Sequence, residues 1–172
     1  MNSLLTFLNT DFGVVLAGAA FAALGLFTWQ KQDWLFKERY QRSQIILDRQ
    51  LDIMSNVNRD AGKLIALAAS ISAPILKASV PDDQTYNSIR AYNEFQSHWF
   101  GIYEAYKTSV VFYFPMEIVE SFDSVIAAME ALDVSLTDVM TPDGAEKSYN
   151  ACLSARTELK IWNSKIAGLL KK

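Results

Sequence analysis

Apolar residues open this chain as one uncharged run and then recur with a helical period. Residues 12–30, between Asp11 and Lys31, form a stretch of 19 positions without a charged side chain. A membrane-spanning helix needs about 20 mostly apolar residues to cross a hydrocarbon core ~30 Å thick. The segment from Phe12 to Trp29 therefore predicts a transmembrane helix, with Trp29 where indole rings favour the lipid headgroups.

A cleaved signal peptide is the alternative interpretation of this stretch. Such a peptide starts with a basic segment and ends at a small-residue cleavage site. No Lys or Arg precedes Asp11, and the Ala-x-Ala patterns that begin at Ala17 and Ala20 lie inside the apolar run. The pattern favours a retained membrane anchor over residues 1–30.

The charges that flank the predicted span indicate its orientation. Residues 1–11 contain no Lys or Arg, whereas residues 31–42 contain four basic side chains. Because basic flanks stay in the cytoplasm, we expect a single-pass protein with its N-terminus outside and its C-terminal domain cytoplasmic.

Three small residues inside the predicted span share one face of the helix. Gly18, Ala22 and Gly25 lie at positions i, i+4 and i+7. Small residues let membrane helices approach closely, so this face predicts a homo-oligomer packed through its anchors. The alternative is that these residues are simply common in membrane helices.

The polypeptide beyond the anchor has the apolar spacing of amphipathic helices. No Gly or Pro occurs from Leu26 to Ala61, so we expect the first helix to continue to about Asn58. The uncharged run Leu64–Leu76 is too short to cross a bilayer. It predicts a separate core helix, with an interfacial or re-entrant helix as the alternative.

Turn-forming residues divide the second half of the chain. Val80–Ser88 has the composition of a loop, and Asp133–Met140 predicts a second connection. Between them Pro115 predicts the start of a new helix, and Thr141 followed by Pro142 predicts an N-cap.

The predicted fold class is all-α. One N-terminal transmembrane helix continues into a cytoplasmic bundle of about five helices, giving an anchor at 1–30 and a bundle at 31–172. Hydrophobic residues make up 51% of the 172 residues, enough for a packed core. The single Cys excludes an internal disulfide and a Cys-based zinc site.

Charge is distributed unevenly along the chain. The net charge is +2 over residues 1–81, −10 over residues 82–146 and +5 over residues 147–172, which sums to −3. This acidic balance disfavours a dedicated nucleic-acid binder. The opposite charges of the last two segments could attract each other within one chain or between copies.

Arg90, Glu94 and His98 form the one constellation with catalytic potential. They lie at i, i+4 and i+8 on one helix face. An Arg can stabilise developing negative charge and a His can move a proton, so the set suits a metal-independent ribonuclease. The alternative, which we favour, is a surface ladder of ion pairs.

Other polar side chains are expected to be structural. Five acidic side chains, named at the end of this paragraph, are predicted to form a solvated helix face rather than a weak metal site. Cys152 lies in an apolar stripe and is read as a buried small hydrophobe. No phosphate loop or dinucleotide motif occurs, so we predict no cofactor, no metal and no small-molecule substrate. The carboxylates are Glu117, Glu120, Asp123, Glu130 and Asp133.

The layout of a short N-terminal span followed by a small helical domain resembles membrane effectors of bacterial phage defence. It is similar to the HEPN-like membrane accessory protein of RNA-targeting type VI CRISPR loci. That resemblance implies an oligomeric, pore-like assembly in the bacterial inner membrane, with a cytoplasmic protein or nucleic-acid-guided complex as partner. A HEPN site has Arg and His separated by four to six residues, whereas seven separate Arg90 from His98.

Three functional hypotheses follow. The first is a non-enzymatic, self-associating membrane effector or accessory protein that forms a pore or perturbs the inner membrane. The second is a membrane-tethered HEPN-like ribonuclease that uses Arg90 and His98. The third is a scaffold that holds a partner at the membrane.

Overall fold

Every regular element in the described part of the chain is a helix. The structure, a computed structural model, describes residues 11–78 and 81–171, with side chains for residues 21–77 and 81–171. The all-α fold class is confirmed. The elements are α1 (Asp11–Ala78), α2 (Asp83–Tyr113), α3 (Met116–Ser135), a 3₁₀ turn (Leu136–Asp138) and α4 (Pro142–Leu169).

Helix α1 is longer than the sequence pattern predicted. It continues without a break past Asn58 to Ala78, so Leu64–Leu76 is its last part and not a separate helix. The prediction of about five bundle helices was therefore wrong, and four α-helices account for the described residues. A single Gly62 costs only about 1 kcal/mol in a helix, which a continuous apolar face readily offsets.

That apolar face of α1 forms one wall of the core. Its residues recur every three or four positions and are at most 8% exposed. We call this set the buried stripe. It consists of Ile53, Val57, Ala61, Leu64, Ala68, Ile71 and Ile75.

The chain divides into two units, Met1–Ile45 and Ile46–Lys172. The second unit contains the core, in which α2, α3 and α4 join the buried stripe in one cluster. Phe122 of α3 lies 5.4 Å from Trp162 of α4, measured between ring centroids. Trp99 of α2 is fully buried in the same cluster.

Side-chain caps mark where two of the bundle helices, α2 and α4, begin. Asp82 accepts hydrogen bonds from the backbone N–H and the hydroxyl of Thr85, so α2 starts at Asp83. The loop predicted over Val80–Ser88 is therefore shorter than expected. Thr141 accepts a hydrogen bond from the Gly144 N–H, which confirms the predicted N-cap of α4.

Candidate functional site

The three residues predicted as a catalytic set all lie exposed on α2. None of the ion pairs formed by the described residues joins Arg90, Glu94 or His98, so the expected ladder is not formed. A rise of 1.5 Å per residue separates Arg90 from His98 by about 12 Å along the helix axis. Their catalytic role stays a prediction.

A polar cluster that the sequence did not reveal lies where α1 and α2 pack together. Its centre is Asp60, which is 3% exposed. Arg59 donates from Nε to Asp60 Oδ1 at 2.8 Å, and a second guanidinium nitrogen donates to Oδ2 at 3.3 Å. Tyr106 donates its hydroxyl to Oδ2 at 2.6 Å. Both carboxylate oxygens are therefore paired, as a buried charge requires.

Electrostatics keeps this carboxyl ionised. Burial alone raises the pKa of Asp60, but hydrogen bonds from Arg59 and Tyr106 outweigh it and lower the pKa below its ordinary value. Burial and the hydrogen bond to Asp60 raise the pKa of Tyr106 to about 12, so the phenol remains a donor. The charge of His98 lowers the pKa of Asp60 further.

His98 lies beside an aromatic residue of its own helix that Lys63 of α1 also approaches. Its ring lies 5.4 Å from that of Phe95, and Lys63 Nζ lies 4.1 Å from the centroid of the same Phe95 ring. Arg59, whose side chain is 66% exposed, is held by Asp60 in the same part of the bundle. Sequence spacing could not reveal the effect of His98 on the pKa of Asp60, because the two residues are 38 positions apart.

A second polar contact connects α1 with α4. Asn58 and Asn163 exchange amide hydrogen bonds, at 2.8 Å and 2.6 Å, in a partly buried position. Each side chain satisfies a donor and an acceptor of the other, which favours one relative register of the two helices. We assign this pair a structural role.

A cleft with a volume of about 350 Å³ opens where α2 meets the end of α3. Asp133 stands in its wall and accepts hydrogen bonds on Oδ1 from the Tyr92 hydroxyl and the Gln96 amide. Asn93 and Thr137 also line the cleft, together with apolar side chains from α1, α2, the 3₁₀ turn and the connection that follows it. The apolar residues are Ile71, Ile89, Leu136, Val139 and Met140.

The remaining carboxylates predicted as a set do not converge. Asp123 pairs with Lys107 at 2.9 Å, and Asp133 faces the cleft. The part of the chain that the structure describes contains no group of three or more ligating side chains arranged to hold a metal ion. Cys152 is buried, as predicted, and burial raises the pKa of its thiol to about 11.

The N-terminal unit presents a different kind of surface. Its large apolar side chains from Phe21 to Trp29 are 60–76% exposed. Ala22 is exposed, and a Cβ added to Gly25 would meet no described atom within 4 Å. The surroundings of Gly18 lie outside the residues whose side chains are described.

The structure describes the side chains of only part of the predicted membrane span. No helix, taken over the residues that could be searched, is long and apolar enough to cross a membrane. Residues 12–20 of the predicted span lie outside the part of the chain whose side chains are described.

Comparisons with protein-family models, with curated proteins and with solved structures found no match for this chain.

Proposed function

We propose that the chain is a non-enzymatic, membrane-anchored helical protein that self-associates through its N-terminal segment. The observation that carries this proposal is the row of large apolar side chains from Phe21 to Trp29, each at least 60% exposed. No charged residue interrupts positions 12–30. Transfer of one large apolar side chain out of water is favourable by about 1.5–3 kcal/mol. This surface is therefore expected to be covered by an apolar environment.

A bilayer suits this surface better than a second protein of ordinary polarity. The uncharged run is followed by Lys31, Lys37, Arg39 and Arg42. A Lys or Arg next to anionic lipid contributes about 1 kcal/mol, and such residues favour the cytoplasmic side. We therefore propose an anchor at 1–30 and a cytoplasmic bundle at 31–172.

Self-association would use the face formed by Gly18, Ala22 and Gly25. The space around Gly25 leaves room for the backbone of a second helix to approach. The shared layout with membrane accessory proteins of type VI CRISPR loci supports antiviral defence as the setting. Gathered anchors would then open a pore in the inner membrane, or perturb it, when a cytoplasmic partner signals.

Membrane association is tested by fractionating cells that express the full chain. Wild-type protein should stay with the membranes after an alkaline wash. Leu24→Lys combined with Phe27→Lys should release it, because a Lys costs up to about 2.5–3.5 kcal/mol in a membrane helix, the full value applying at the helix centre. The matched control places Lys at Ile45 and Ile46, beyond the anchor. Wild-type protein in the aqueous fraction without detergent would contradict the proposal.

Self-association is tested by measuring the mass of the detergent-solubilised particle. Gly25→Leu should reduce it by blocking close helix approach. Ala23→Leu adds a similar volume on the opposite side of the helix and should leave the mass unchanged. An equal mass for wild type and Gly25→Leu would remove self-association through this face and leave anchoring intact.

A further inference from the structure

The cleft beside Asp133 has the composition of a small-ligand site. Its volume of about 350 Å³ lies within the range of 300–1,000 Å³ typical of such sites. A water molecule occupies about 30 Å³ in the liquid, so the cleft accommodates a body of roughly ten heavy atoms. Ile71 and Ile89 provide an apolar wall, and Val139 is itself 5% exposed.

Asp133 carries the only charge in the described lining of this cleft. The other polar groups are neutral, and no Lys, Arg or His contributes. None of the ion pairs of the described residues includes Asp133. Tyr92 and Gln96 both donate to Oδ1, and no described group donates to Oδ2. One carboxylate oxygen therefore lacks a donor at the edge of a cleft whose lining is part apolar and part neutral polar.

The surroundings of Asp133 favour a cationic partner. Burial and the neighbouring Asp133 raise the pKa of Tyr92, so its phenol stays protonated and holds the carboxylate in place. The segment 82–146, which supplies most of the lining, has a net charge of −10. Such a field concentrates cations and repels anions.

We propose that this cleft binds a small organic cation, with a primary ammonium on Asp133 Oδ2 and an apolar body against Ile71, Ile89 and Val139. An ammonium supplies the missing donor and the missing charge together. The carboxylate repels an anion of the same shape. A neutral isostere cannot form the charge-assisted hydrogen bond and is therefore expected to bind more weakly. The inference is independent of membrane anchoring.

The test is calorimetric titration of the full chain, in a non-ionic detergent, with phenethylamine as the probe. We expect saturable binding of one amine per chain. The neutral isostere 2-phenylethanol should bind at least tenfold more weakly. Equal binding of the two compounds, or no saturable binding of the amine at millimolar concentration, would overturn the proposal.

Variants separate the cleft from general attraction to an acidic protein. Asp133→Asn retains the shape and removes the charge, and it should weaken amine binding at least tenfold. Glu120→Gln removes one exposed negative charge on α3 outside the cleft and should leave binding unchanged. Equal effects of the two variants would overturn the proposal, because the amine would then respond only to net charge.

A third variant decides the matter if Asp133→Asn does not fold, as judged by circular dichroism. Met140→Trp enlarges a side chain that lines the cleft and leaves the carboxylate in place, and Met140 is 44% exposed, so the larger ring can be accommodated. It should abolish binding of the amine. Undiminished binding by this variant would place the amine elsewhere and overturn the proposal.

Discussion

Helix α1 carries large apolar side chains in both units of the chain, but their environments differ. From Phe21 to Trp29 these side chains are 60–76% exposed, whereas the buried stripe from Ile53 to Ile75 is at most 8% exposed. Helices α2 to α4 supply the cover for the stripe. An apolar helix face thus predicts that a partner exists, and only for the second unit does the described chain itself provide that partner.

The largest difference between the two regions should appear on truncating a Trp. Trp162→Ala removes a fully buried ring that packs on Phe122, and it should lower the free energy of unfolding by about 3–5 kcal/mol. Trp29→Ala should change it by less than about 0.5 kcal/mol, because Trp29 is exposed. Denaturant unfolding of the full chain measures both.

Trp162→Phe tests whether packing alone accounts for that loss. The indole nitrogen of Trp162 has no hydrogen-bond partner among the described residues. Replacing the indole by a phenyl ring therefore removes an unpaired donor as well as volume, and the cost should be well below that of Trp162→Ala. Equal losses for Phe and Ala would contradict a packing role.

A smaller effect is expected at Gly144, in the first turn of α4. A Cβ there would lie 1.9 Å from the backbone oxygen of Asp138, so the 3₁₀ turn or α4 must shift. Gly144→Ala should cost about 2–3 kcal/mol of unfolding free energy. Gly168→Ala, where a Cβ meets no described atom within 4 Å, is the matched control and should not destabilise.

The Asp60 cluster should contribute a stabilisation that depends on pH. Its pKa is lowered on folding, so its contribution is present above the ordinary pKa of an Asp, 3.8, and is lost as the pH falls through the lowered value. Asp60→Asn should cost about 2 kcal/mol at pH 7, in the range for hydrogen bonds to charged groups. The gap between the two unfolding curves should shrink under acid. A pH-independent gap would exclude an ionised Asp60.

The smallest effect is expected for the exposed ion pair between Lys107 and Asp123. Its nitrogen–oxygen distance is 2.9 Å, but both side chains are more than 40% exposed. Solvent screens such pairs, so Asp123→Asn should change the unfolding free energy by about 0–1 kcal/mol. A loss as large as that of Asp60→Asn would contradict the distinction between a buried and an exposed pair.

The helix starts and the connections of the second half were largely predictable. Pro115 and Thr141 mark helix starts through local chemistry, since a proline lacks an N–H and a threonine hydroxyl caps the turn that follows it. The expected loop over Val80–Ser88 was too long because Asp82 and Thr85 form a cap that composition alone does not reveal. These features depend on residues within four positions of each other.

The candidate sites were not predictable in the same way. The hydrogen bond between Tyr106 and Asp60 was missed, because Asp60 lies on α1 and Tyr106 on α2. Asp133 was grouped with other carboxylates on α3, yet its hydrogen-bond partners Tyr92 and Gln96 lie on α2. Helical spacing predicts which residues are neighbours on one helix, but it does not predict which residues of different helices are in contact.

Sequence alone determined that the chain is helical, where α3 and α4 start and where the uncharged run lies, because these properties come from periodicity and from local chemistry. Tertiary structure alone decided that α1 continues to Ala78, that Asp60 is buried with two donor residues and that Asp133 stands in a cleft whose described lining has no basic side chain. Those outcomes depend on which helix faces meet, and burial free energy gained between distant segments outweighs the small local preferences that the sequence displays.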